Sequence, residues 1–155
     1  MSYMRIDIGI QQIEGHFSDF IDGGLHLVNS KVDHKSFGNW IAVYQADRYI
    51  LKFIQTQGTI SVSISPSWAS IEPSNFEHFI NLELLIDFSK NIQFIVSNPK
   101  YEEYDIDKSL RILSNLLRDN FQNLLAILEN DDFLKTEEAV NNYHEQRLKK
   151  LYGIG

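Results

Sequence analysis

Residues 39–65 read NWIAVYQADRYILKFIQTQGTISVSIS, and this stretch predicts three successive antiparallel strands. In the third run Ile60, Val62 and Ile64 alternate with Thr59, Ser61, Ser63 and Ser65, the period of a strand buried on one face. Asp47-Arg48 separates the first two runs and Gln57-Gly58 the last two, and glycine supplies the positive φ that tight hairpins need. With two-residue loops, Trp40, Ala42, Tyr44, Tyr49, Leu51, Phe53, Ile60, Val62 and Ile64 share one side. Ile41, Val43, Ile50, Lys52, Ile54, Ser61 and Ser63 share the other. The first side is the better core. Lys52 is expected to face solvent beside Ser61 and Ser63, and its exposure is taken as the sign of the register. A three-residue second loop would instead align Lys52 with Val62.

Before the meander, Ile6, Ile10, Ile13, Phe17, Phe20 and Ile21 follow helical spacing and predict an amphipathic helix over 5–21, stopped by Asp22-Gly23-Gly24. Residues 25–38 read as loop, although Leu25, Leu27 and Val28 could form a short strand. Beyond Ser65-Pro66-Ser67, which ends the third strand, the run INLELLIDF suits a buried strand or a helix. A helix over 77–89 is preferred, because Phe76, Phe79 and Ile80 extend its face backwards. IQFIV at 92–96 predicts a short strand before the Asn98-Pro99 turn. From Asp105, Leu110, Leu113, Leu117, Phe121, Leu124 and Leu128 recur at three- and four-residue intervals, predicting the longest helix, with Asp105 or Asp107 as its cap. Asn130-Asp131-Asp132 interrupts the run, and a final helix is expected over 133–151. The fold class is therefore α+β: an N-terminal helix, a three-stranded antiparallel meander with room for an extra short strand, and C-terminal helices on one face of the sheet. Residues 1–155 are read as a single domain.

Composition narrows the chemistry. No cysteine is present, which removes disulfides, Cys-based zinc sites and thiol nucleophiles. The opening MSYMRIDIGI lacks a basic start followed by an apolar run, and no stretch has the length of a membrane span. A cytoplasmic protein is the expectation. The formal net charge of −7 disfavours a nucleic-acid partner, whose affinity comes from Lys and Arg. The five histidines form no HExxH or similar helical pair, no G-x-S-x-G elbow occurs, and Gly23-Gly24 fits neither a P-loop nor a dinucleotide fingerprint. No cofactor or metal is called for, and no catalytic pair stands out.

Two acidic groups remain. Glu102, Glu103, Asp105 and Asp107 form the denser one, and Glu129, Asp131, Asp132, Glu137 and Glu138 the second. Either could attract a basic partner; the plainer explanation is that carboxylates favour helix starts. Trp40, Tyr44 and Tyr49 could line a ligand pocket, with Trp68 beside them. The plainer alternative has Trp40 closing the core and Trp68 capping the sheet edge.

The order of elements, with FGNWIAVYQADRYILKFIQTQGTISVSISP and the ending HEQRLKKLYG, resembles small bacterial proteins of the toxin-immunity type. That resemblance implies an acidic, non-catalytic protein that binds a basic toxin, with Glu102, Glu103, Asp105 and Asp107 as the expected contact. Two other readings stay open: an enzyme or small-ligand domain with its pocket between sheet and helices, and a homo-oligomeric structural module.

Overall fold

Two tight turns set the sheet. Strand β2 (Asn39–Gln45) reverses through Asp47-Arg48 into β3 (Tyr49–Thr56), and β3 reverses through Gln57-Gly58 into β4 (Thr59–Pro66). Gln57 and Gly58 both have positive φ, 51° and 86°, the backbone of a turn whose twist matches the flanking strands. Tyr44 pairs with Leu51, Lys52 with Ser63 and Phe53 with Val62, so both hairpins adopt the two-residue register. The computed structural model of the protein describes residues 5–36, 38–90 and 105–153; the strand expected at 92–96 and the Asn98-Pro99 turn fall outside them.

The meander is wider than the three expected strands. An eight-residue strand β1 (His26–Asp33) pairs with β2, and a two-residue β5 (Ile80–Asn81) pairs with β4, giving a five-stranded antiparallel sheet in the order β1-β2-β3-β4-β5. By sequence alone, residues 25–38 read as loop, with a short strand open only at Leu25, Leu27 and Val28. The period of residues 26–33 is hidden because the register shifts between Leu27 and Asn29, a bulge that breaks strict alternation. Their polar composition belongs to an edge strand, where charge and irregularity discourage pairing with other chains.

Five helices complete the described fold: α1 (Ile6–His16), α2 (Ser18–Asp22), α3 (Leu82–Lys90), α4 (Ile106–Leu128) and α5 (Phe133–Leu151). The single N-terminal helix expected over 5–21 is broken at Phe17, which leaves helical geometry at φ −106°, ψ 23°. Its ring is fully buried and meets Phe53 edge-on at 5.1 Å. The helix expected over 77–89 starts at Leu82 instead, because Phe76 and Phe79 turn to the other face of the sheet. Both C-terminal helices match their expected limits.

The aromatic side of the meander packs with Ile13, Phe17, Leu85, Leu110, Leu117 and Leu124 into the main core. Trp40 lies against Gly9, where a Cβ would come within 2.3 Å of the indole Cζ2; only glycine lets α1 approach the sheet this closely. Asp87, 1% exposed, accepts from the Tyr143 hydroxyl at 2.9 Å and from the Arg147 guanidinium, which ties α5 to α3.

The second side of the sheet carries a smaller core of Val43, Ile50 and Ala69, with Val28, Ile41 and Phe79 packed around it. Residues 67–79 cross this face, and Lys52 beneath them is 0% exposed. The register is the expected one, but the exposure of Lys52 is not: a covering loop, rather than a slipped strand, buries it. Its Nζ donates to the Glu72 carbonyl at 2.7 Å and to the Asn75 carbonyl, and lies 4.0 Å from the Phe79 ring centroid. Asn29 Nδ2 and Lys31 Nζ hold the same loop through the Ile71 carbonyl and Ser74 Oγ.

Burial pushes the Lys52 ammonium from 10.5 down to about 8, since a low-dielectric site disfavours the charged form. Between those values the unfolded chain binds more protons than the folded one, so stability rises with pH. We expect a rise of about 1–2 kcal/mol between pH 8 and 9.5 in urea unfolding, absent in Lys52→Met. Higher pH is avoided because Tyr49, pushed up to about 12 by burial and then by the Asp19 charge, carries the opposite dependence.

Candidate docking surface

Of the four residues expected to contact a partner, the two described ones each hold a contact within the chain. Asp105 caps α4 by accepting from the Lys108 amide at 3.0 Å, and Asp107 lies 2.7 Å from His16 Nε2. Glu102 and Glu103 lie outside the described residues. Trp40, Tyr44 and Tyr49, the candidates for a pocket lining, are 2%, 0% and 5% exposed within the main core. The Tyr44 hydroxyl donates to Glu14 Oε2 at 2.9 Å, and burial with that neighbouring carboxylate raises its pKa well above the usual tyrosine range.

At the end of the sheet formed by the β2–β3 turn and the close of β4, two grooves meet. One, of about 420 Å³, is floored by Phe20, Tyr49 and Phe121, with Asp19, Asp47 and Arg118 beside them. The other, of about 460 Å³, runs between Trp68 and the α4–α5 corner, past Glu129, Asp131 and Leu134. Arg48 lines both.

Each wall follows from local sequence. Pro66 closes β4 and throws Trp68 out of the ladder, since proline has no N–H to donate. The Trp68 ring is fixed on two sides, edge-on to His78 at 4.9 Å and to Phe133 at 6.0 Å, yet the residue remains 58% exposed. His78 in turn lies 3.0 Å from Glu137 on α5. The pairing of Ile64 with Ile80 brings together the two ends of the 67–79 loop, and Trp68 meets His78 across them, the closed form of an Ω-loop. Leu134 is also 58% exposed, in the first turn of α5 and on the same helix face as Glu138 four residues on. Asn130-Asp131-Asp132 forms the corner, with Asn130 Oδ1 accepting from the Asp132 amide at 2.8 Å.

The surface therefore combines a rigid, exposed indole, an exposed leucine and carboxylates at Glu129, Asp131, Asp132 and Glu138. The second acidic group of the sequence supplies this rim. The sequence places Trp68 beside a pocket or over the sheet edge; nothing local says that its ring is held outward. Among the described residues no group of three or more His, Asp or Glu could hold a metal ion, and no helix is long and apolar enough to cross a membrane. No family model, curated protein or solved structure matches the chain.

Proposed function

We propose that this protein is a non-catalytic binding domain that docks a basic protein through the Trp68–Leu134 surface, in the manner of an immunity protein neutralising a basic toxin. The observation that carries the reading is the contrast between the two tryptophans. Trp40 is 2% exposed in the core, whereas Trp68 is 58% exposed, braced by Phe133 and His78, inside an acidic rim. Exposed aromatics held in one orientation are the usual anchors of protein interfaces, because they bury large area while losing little conformational freedom. Carboxylates around such an anchor accelerate encounter with a positive surface and reject a negative one. The toxin-immunity resemblance agrees in partner charge and in lacking catalysis.

The reading is tested by parallel capture from the native cell with wild type, with Trp68→Ala/Leu134→Ala and with Asp131→Asn/Asp132→Asn/Glu138→Gln. A basic protein retained by wild type, eluted by salt and lost from both variants is the expected result; truncating a central anchor weakens binding by roughly thirtyfold or more. Retention of the same proteins by all three baits, or of an acidic protein alone, contradicts it.

A further inference from the structure

The joint between the two grooves is an arginine already seated on a carboxylate. Arg48 Nε donates to Glu129 Oε2 at 2.8 Å, and its Nη2 donates to the other oxygen, Oε1. This is a two-pronged match that only a planar guanidinium makes. The two side chains are 53% and 43% exposed, so the pair is open to solvent and to an incoming ion. Asp19, Asp47, Glu129 and Asp131 line the two grooves together with Arg48 and Arg118. Arg118 is itself seated on both oxygens of Asp19, at 2.8 and 3.0 Å. Four carboxylates against two cations leave the combined grooves negative with both pairs in place.

We infer that Arg48 is a built-in stand-in for an arginine of the partner. On docking, the incoming guanidinium takes over the Glu129 carboxylate and lies against the exposed Trp68 ring in the same groove. Arg48 swings out, and the two grooves join into one trough. The exchange keeps both charge-assisted hydrogen bonds, so its net gain comes from stacking on the indole and from burial beside Leu134. A lysine, with a compact ammonium, makes neither the fork nor the stack as well. This inference rests on the docking reading and names the chemistry it recognises: an arginine-bearing basic segment, held off by an internal competitor.

The test is titration of the ¹⁵N-labelled protein with nona-arginine and with nona-lysine, read at the two tryptophan indole N–H resonances. Nona-arginine is expected to move the Trp68 signal and leave that of buried Trp40 in place. It should bind Arg48→Ala roughly two- to fivefold more tightly than wild type. Lys149→Ala is the control for charge alone, because Lys149 is exposed in the last turn of α5, about 20 Å along the helix from Leu134; it should gain less than half as much. Nona-lysine should bind more weakly and gain no more from Arg48→Ala than from Lys149→Ala. Equal gains in the two variants with nona-arginine, equal binding of the two peptides, or a stationary Trp68 signal overturns the inference. If Trp68 responds but Arg48→Ala binds no more tightly, the displacement fails while the docking reading, tested separately by capture from the cell, stands.

Discussion

Lys52→Ala is expected to lower unfolding free energy by about 2–4 kcal/mol, while Lys52→Met should stay within about 1 kcal/mol of wild type at neutral pH. The side chain is fully buried between β3 and residues 67–79, so alanine leaves a cavity that the two packed layers cannot close. Methionine fills most of that volume and removes a charge whose burial is itself unfavourable. Its cost lies in the carbonyls of Glu72 and Asn75, which lose their donor. An orphaned buried acceptor costs about 1–3 kcal/mol, but these two belong to exposed residues and can turn to water once the loop lifts. Global stability therefore changes little in Lys52→Met, and the loop takes the change. Amide exchange measured by mass spectrometry should speed up at least tenfold over 69–77 and remain unchanged in β2 and β3. Equal protection of 69–77 in wild type and Lys52→Met would show that the ammonium does not hold the loop.

Gly9→Ala is expected to destabilise by about 2 kcal/mol or more, although alanine is the better helix former. Exchange of glycine for alanine inside a helix gains up to about 1 kcal/mol. Against it stands a Cβ placed 2.3 Å from Trp40 Cζ2 and 2.7 Å from Cη2, well inside van der Waals contact. Trp40 is enclosed by the core and cannot yield, so α1 must shift, and overpacking of this kind costs about 1–3 kcal/mol or more. Gly15→Ala is the internal comparison: it lies in the same helix, and a Cβ there meets nothing within 4 Å. It should stabilise by about 0.5 kcal/mol. Thermal unfolding of the pair checks both signs, and a stabilised Gly9→Ala would contradict the packing of α1 on Trp40.

What could be read in the chain follows from where each signal resides. The β2–β4 meander, its register and the limits of α4 and α5 depend on local periodicity and on turn or capping residues within a few positions, and these were legible. Strand β1 was not, since an edge strand with a bulge carries no clean alternation. Phe17 keeps helical spacing in sequence, and only its fit against Phe53, distant in the chain, explains the break there. The burial of Lys52 shows the limit most clearly. Its face followed correctly from the register, but its environment depends on a loop that crosses the sheet, and no local pattern in residues 67–79 says where that loop lies. The candidate site shares this property: Glu129, Asp131 and Asp132 stood out as charge, while Trp68 gained meaning only when Phe133 and His78 were found to hold its ring outward.

The Ω-loop links buried Lys52 to the exposed Trp68. Its middle is fastened to Lys52 on one side of the sheet, and its ends present Trp68 and His78 to α5. The docking surface is therefore braced from both sides, which is what a pre-organised interface requires. Site-specific photo-cross-linking in the native cell tests that surface most directly, with a benzophenone side chain placed at position 134 and, for comparison, at position 112 on α4, where Ile112 is 43% exposed. A cross-link to one basic protein is expected from position 134, none from 112, with loss of the product in the Asp131→Asn/Asp132→Asn/Glu138→Gln background. Equal cross-linking from both positions, or from 112 alone, would contradict docking at this surface.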